Sequence, residues 1–305
     1  MIDEPHKSHI TQHCSNHGNI RYQLPEQACI PVSVIIPCYM CSATIGRALT
    51  SVFSQTILPR QMILVDDGNP PSFHELVTQL IKKSPIRETL ILQNLRNIGP
   101  SATRNKAWEK ATQPYIAFLD ADDAWHPRKL ERQHALFVSN PHLQLAAHRS
   151  LCVKESFAAE CSRVSGSITP ITALHLLLSS YFSTPTVMLR SDIPFRFDAR
   201  MKYAEDYDLW TRIILSGYQG VFDSAPMTYL YKSRFGESGL SSNLFLMERG
   251  VQRVYHHLAS SGLISASSAS LLRLYSSLKF LKRIIQTAVT RIWRHILDVK
   301  RENVQ

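Results

Sequence analysis

Three carboxylates, Asp120, Asp122 and Asp123, close a short apolar stretch, Tyr115 to Leu119. Carboxylates crowded at a strand end raise one another's pKa unless a cation compensates. A hard divalent ion, Mg²⁺ or Mn²⁺, prefers such oxygens and commonly bridges to phosphate. The competing reading is an Asp-rich turn in which Asp123 caps the next helix. Asp66-Asp67-Gly68 ends another apolar stretch. A carboxylate there can accept hydrogen bonds from a base or ribose, or simply make a turn. Asn97-x-Gly99-x-Ser101-x-x-Arg104-Asn105 opens a helical segment. Its glycine lets the backbone turn, its N-terminus attracts phosphate, and Arg104, one turn in, can reach an anion. Glu205-Asp206-x-Asp208 starts a helix far downstream. Three acids in four positions exceed what the helix dipole needs, and one of them can serve as general base on an alcohol.

The elements that must position these groups are legible as patterns. Strands are expected at Val32–Pro37, Met62–Val65, Thr89–Gln93 and Tyr115–Leu119. Helices are expected at Ala43–Gln55, Phe73–Lys83 and Ser101–Ala111, with Ser101 as cap, and over 126–139. Strand and helix alternate at about 25–30 residues per unit, the pattern of a parallel sheet built from βαβ crossovers. Ligands bind outside the carboxyl ends of such strands, so residues 66–67 and 120–123 should face one crevice. Further on, strands are expected at Gln144–Arg149, Pro185–Arg190 and Met227–Tyr231, and a helix at Asp206–Leu215, while 150–170 is poorly patterned.

Other chemistries lose ground. No Walker lysine follows the Gly99 turn, and Pro37-Cys38-Tyr39 stands where a dinucleotide fold has its glycines. Cys38 and Cys41 form a CxxC, but no second one accompanies it, so packing is favoured over redox or zinc chemistry. Residues 1–20 have no apolar signal core; their histidines (6, 9, 13 and 17) with Cys14 read as a solvated tail rather than a metal site. A reducing cytosol is the expected setting.

The 305 residues carry a net charge of +10. Residues 271–305 hold eight Lys/Arg against Asp298 and Glu302, so most of the excess is C-terminal and the remainder of the chain is nearly balanced. Apolar residues recur at helical spacing from Leu271 to Val299, flanked by Lys and Arg and joined by Tyr275 and Trp293. That fits a helix lying over 271–301 in an anionic membrane surface, or one docked on the main domain or on a twin subunit as a homodimer. Nucleic acid is disfavoured, because no aromatic-basic interleaving appears on the main domain.

Taken together, Val32–Tyr39, Val65–Gly68, Asn97–Asn105, Phe118–Leu130 and Glu205–Trp210 resemble family 2 glycosyltransferases of the GT-A fold, over roughly residues 31–235. The resemblance implies an α/β fold with a mostly parallel central sheet. It also implies an inverting transferase using a nucleotide-diphosphate sugar, usually UDP-linked, and a divalent metal. On that resemblance Pro37, Tyr39, Asp66 or Asp67, and Arg104 line the nucleotide pocket. Asp120 contacts sugar or ribose and joins Asp122 at the metal. Asp206 is the base with Glu205 beside it, and Lys232 and Arg234 close over the diphosphate. The sequence departs from the family where Met40 and Ala107 replace the usual Asn and Gly, and where Tyr231-Lys232 replaces Tyr-Arg with no His close behind.

The expected organisation is a polar tail (1–30), a catalytic domain (31–240) and a basic amphipathic helical extension (241–305). The acceptor would be a glycan or lipid-linked saccharide, and the enzyme peripheral on the inner face of the membrane. The rivals are a nucleotidyltransferase on a related sheet, which needs no base at 205–206, and a catalytically inactive membrane adaptor, which needs none of the acids.

Overall fold

The computed structural model describes residues 11–14, 20–23, 29–154, 164–231 and 243–302. The chain divides into two compact units, Met1–Arg234 and Phe235–Gln305. The first unit opens with β1 (Thr11–Cys14), β2 (Ile20–Gln23), β3 (Cys29–Cys38), α1 (Ile45–Phe53), β4 (Leu58–Asp67), α2 (Pro71–Ile81), β5 (Glu88–Asn94) and α3 (Pro100–Trp108). It continues with β6 (Tyr115–Phe118), β7 (Ala124–Trp125), α4 (Lys129–Ser139), β8 (Leu143–Cys152), β9 (Ile168–Pro170) and α5 (Ala173–Leu178). A 3-10 turn at Thr184–Thr186, β10 (Met188–Arg190), α6 (Glu205–Leu215) and β11 (Gln219–Leu230) complete it.

The described strands form one sheet in the order β1-β2-β5-β4-β3-β6-β10-β8-β11-β7, with β9 paired to β11. Its centre, β5-β4-β3-β6, is parallel as the βαβ alternation predicts. β10 runs antiparallel to both β6 and β8, and β11 returns parallel to β8. Side chains alternate across the sheet. Val32, Val34 and Ile36 pack with Ile45, Leu49 and Val52 of α1 and Phe73 and Val77 of α2. Ile35, Ile63, Val65 and Phe118 pack on the other face with Trp108 of α3 and Leu209, Trp210 and Ile213 of α6. Two covered faces explain why the central strands read as continuous apolar runs.

Four local expectations are corrected. Ser101 does not cap α3; Gly99 occupies that position with φ +88°, Pro100 leads the helix, and the Ser101 hydroxyl donates to the Met201 carbonyl at 3.1 Å. The strand expected from Pro185 begins only at Met188, after the 3-10 turn. β11 starts eight residues before the expected Met227, its early half broken into shifted registers around Gly220, Asp223 and Pro226. The segment read as an aperiodic tail contributes β1 and β2, with β2 pairing antiparallel to β5.

The second unit is a helix pair, α7 (Leu244–Ser260) and α8 (Ala266–Glu302). Gln252 exchanges hydrogen bonds with the Arg273 carbonyl and guanidinium, Ser276 donates to Glu248, and the Phe245 and Phe280 rings meet edge-on at 5.1 Å. Leu271, Leu274, Tyr275, Leu278, Leu281 and Ile285 remain exposed. Among the described residues no helix is long and apolar enough to cross a membrane.

Candidate active site

β3 lies between β4 and β6, so the acids that end β4 and follow β6 flank the carboxyl end of β3, where Pro37 is half-buried and Tyr39 exposed. The two neighbouring aspartates of β4 do different work. Asp67 is consumed by the fold: Oδ1 accepts from the Asn94 side chain at 2.8 Å and the Ile98 N–H at 2.9 Å, and Oδ2 from the Gly99 N–H at 3.2 Å. Gly68, at φ +82°, packs on the same loop, where a Cβ would stand 2.7 Å from the Asn97 nitrogen. Asp66 uses Oδ1 on the backbone and side-chain nitrogens of Asn69. Its Oδ2 is buried without a hydrogen-bond partner. Asn69 also donates to the Cys38 carbonyl and accepts from the Met40 N–H, tying together the turns that end β3 and β4. Of the expected pair, Asp66 is therefore the one with a spare acceptor for a ligand.

The buried Arg104 carries its guanidinium to two acids. Nη2 donates to Asp120 Oδ1 at 2.6 Å and Nη1 to Glu205 Oε1 at 3.2 Å, with the group 5.5 Å from the Phe197 ring centroid. The arginine expected at the nucleotide pocket thus meets protein carboxylates through both terminal nitrogens, while its Nε is buried without a hydrogen-bond partner. Asp206 accepts from the Tyr207 N–H at 2.7 Å and from the Thr184 hydroxyl at 3.3 Å. Burial pushes its pKa up. Burial and the neighbouring Asp206 charge raise Glu205 to about 7, although Arg104 opposes them. A carboxylate poised near neutrality suits proton transfer. The third acid of this run, Asp208, is buried in an ion pair with Arg212 at 2.7 Å and belongs to the helix rather than to the chemistry.

Asp120, Asp122 and Asp123 gather their ligand oxygens within 4.8 Å of one another. An all-oxygen set of this kind fits Mg²⁺ or Mn²⁺. Asp123 is not a helix cap, since α4 begins at Lys129. Its Oδ1 instead accepts the Tyr231 N–H at 3.3 Å, linking the acids to the end of β11. Arg47 donates to the Asp122 carbonyl at 2.7 Å and lies 3.6 Å from the Tyr231 ring centroid. Beneath them the motif residues Trp125 and Lys129 are buried, with the Lys129 ammonium 3.7 Å from the indole and its pKa well below the usual value because of burial.

Sequence reasoning missed Asn69 and Thr184, neither of which carried a signal, whereas Asp123 was already grouped with Asp120 and Asp122 in the acidic cluster. Lys232 and Arg234 lie outside the described residues, as do His6, His9 and His17. Cys38 and Cys41 are free and buried, and the hydrogen bond between them together with burial pushes the Cys38 thiol up, away from the reactive thiolate.

A model of glycosyl transferase family 2 matches residues 33–190. The putative glycosyltransferase EpsE of Bacillus subtilis is 30% identical over 194 residues, 62% of this chain and 68% of the relative. The Escherichia coli glucosyltransferase WfgD, named for UDP-Glc and an α-D-GlcNAc-diphosphoundecaprenol, is 28% identical over 70% of this chain and 81% of its own. Among solved structures, residues 1–349 of TarS from S. aureus in complex with UDP-GlcNAc superpose with a TM-score of 0.60 at 19% identity, covering 80% of this chain and 71% of that one. The mannosyltransferase PcManGT of Pyrobaculum calidifontis, with GDP-Man and Mn²⁺, gives 0.53 at 16% identity over 87% of each chain. At these identities the superpositions speak for the GT-A-type fold.

Proposed function

The chain belongs to glycosyl transferase family 2, and we propose that this glycosyltransferase moves a sugar from a nucleotide-diphosphate donor, a UDP-sugar, to a hydroxyl of a glycan or lipid-linked saccharide in a single inverting displacement. The observation that carries this reading is the convergence of the buried Glu205–Asp206 pair with Arg104 and Asp120 at the carboxyl edge of the sheet. Asp206, fixed by Thr184 and the Tyr207 N–H, takes the proton of the acceptor hydroxyl as it attacks. Burial raises its basicity. Asp66, with Pro37 and Tyr39, receives the base or ribose. Asp122, Asp123 and Asp120 would hold Mn²⁺ or Mg²⁺, which when bound supplies positive charge to the departing diphosphate. WfgD, by its name, supports a UDP-linked donor and a lipid-linked acceptor. The UDP-GlcNAc complex of TarS agrees on the donor class.

The test is a panel of nucleotide sugars scored by thermal stabilisation and by release of free nucleotide, with Mn²⁺ and after exhaustive chelation. One or more UDP-sugars should stabilise the protein and be hydrolysed only with the metal. Stabilisation by none of them, or turnover unchanged by chelation, would overturn the donor or the metal reading respectively.

α8 supports peripheral attachment to the cytoplasmic face of the membrane: its exposed Leu271, Leu274, Leu278, Leu281 and Ile285 run beside Arg273, Lys279, Lys282 and Arg283. Binding to phosphatidylglycerol vesicles that weakens with salt, and absent from phosphatidylcholine vesicles, is expected. A concentration-dependent dimer indifferent to lipid would replace the membrane by a second copy of the chain.

A further inference from the structure

We infer that Arg104 is a positioning residue that ties Asp120, beyond the end of β6, to Glu205, at the start of α6, and thereby fixes the base relative to the donor-side acids. The inference rests on the assignment of 205–206 as the basic end of the reaction and goes beyond it, because it gives the arginine of the Asn97–Asn105 motif a role other than nucleotide contact.

The two acids come from segments 85 positions apart, and nothing local in the chain holds them together. The guanidinium does: it is a planar fork whose nitrogens keep a fixed separation, so a carboxylate on each terminal nitrogen is set at a definite spacing from the other. Nη2 is on Asp120 and Nη1 on Glu205, at 2.6 and 3.2 Å. The side chain is only 6% exposed. A charge so buried is retained only where it is paired, and here its partners are protein acids. The two ion pairs use one N–H of each terminal nitrogen, and the tie between the two acids holds whatever the remaining donors meet. Asp206 follows Glu205 on the first turn of α6, so whatever fixes Glu205 fixes the backbone from which the base projects. Phe197 sits against the guanidinium and Asn105, the next motif residue, exchanges hydrogen bonds with the Phe197 backbone at 2.8 and 3.1 Å. The arginine is thus braced from both sides.

The full chain bearing Arg104→Gln or Arg104→Lys tests this, with UDP affinity measured by calorimetry in the presence of Mn²⁺ and turnover measured with UDP-glucose and UDP-GlcNAc. For Arg104→Gln, UDP affinity should stay within about threefold of the unmodified enzyme while kcat falls about 10²-fold, the scale on which misplacing a catalytic group by an ångström acts. Arg104→Lys, whose single ammonium reaches one acid, should recover part of kcat. Combining Arg104→Gln with Glu205→Gln should cost little more than Arg104→Gln alone, since the contact between the two side chains is already gone. A tenfold or greater loss of UDP affinity with kcat at saturating donor retained, or additive losses in the double variant, would overturn the inference in favour of a nucleotide contact. Should Arg104→Gln melt below the assay temperature, Arg104→Lys is held to the same criterion: reduced kcat at unchanged UDP affinity. If the unmodified enzyme neither binds UDP nor turns over either donor, it is the UDP-sugar reading that fails, and the positioning role falls with it.

Discussion

The carboxylate of Asp67 accepts the backbone N–H of Gly99 at 3.2 Å, across 32 residues of sequence. With the bond from Ile98 at 2.9 Å, this pins the entry to α3, and hence the register of Arg104 one turn later, to the end of β4. Asp67→Ala leaves three donors without their charged acceptor, and hydrogen bonds to charged groups contribute about 1.5–3 kcal/mol each at most. Urea unfolding should show a loss on the order of 3 kcal/mol. Asp66→Asn keeps the Oδ1 bonds and changes only the spare Oδ2 position. Its stability should stay within about 1 kcal/mol while UDP affinity falls. The opposite pattern in the two variants would exchange their roles.

Asp206→Asn keeps the size of the side chain and, through its amide oxygen, the bond from Tyr207, but cannot accept a proton. kcat should fall about 10²–10⁴-fold with UDP affinity unchanged. Thr184→Val removes the hydroxyl that donates to Asp206, and a smaller kcat loss, about tenfold, should follow. Full transfer by Asp206→Asn would remove it as base.

Much of this was readable from the chain. Val32–Ile36 and Met62–Val65 are buried on both faces, so they appear as uninterrupted apolar runs, and α1 shows its buried stripe at Ile45, Leu49 and Val52. The acids of the site sit at strand and helix ends, where spacing alone reveals them. What stayed hidden depends on partners remote in sequence. Asp66 and Asp67 are identical in type and adjacent, and only Asn69 and the 98–99 backbone tell them apart. Thr184 has no periodicity around it. β11 lost its first half to Asp223, a buried charge paired with Arg132 that no strand pattern anticipates, and to Pro226.

The raised pKa of Glu205 makes stability depend on pH. A carboxyl whose pKa climbs from 4.5 to about 7 on folding holds its proton more tightly in the folded state. Its contribution is therefore complete below pH 4.5 and is lost as the pH rises through 7. Glu205→Gln imitates the protonated form at every pH. Its Tm should match that of the unmodified protein near pH 4.5 and exceed it increasingly between pH 5 and 8, without metal or nucleotide present. A Tm difference that is flat across this range would mean that Glu205 is already ionised at low pH, held so by Arg104.

Met40 stands at φ +48°, in the left-handed region, where the family commonly has Asn. A residue with a Cβ pays about 1–2 kcal/mol there, and Asn less because its short amide bonds locally. The side chain is 79% exposed, so replacing it forfeits little packing. Its N–H bond to Asn69 Oδ1, at 2.7 Å, comes from the backbone and survives substitution. Met40→Asn should therefore stabilise the protein by about 0.5–1 kcal/mol, seen as a higher urea midpoint at unchanged slope. Met40→Val, whose branched Cβ tolerates this region least, should lower the midpoint. Equal midpoints for the Asn and Val variants would show that the backbone at this turn relaxes and stores no strain. Because the turn also carries Tyr39, which the proposed function places at the nucleotide, the Asn variant should bind UDP at least as tightly as the unmodified enzyme.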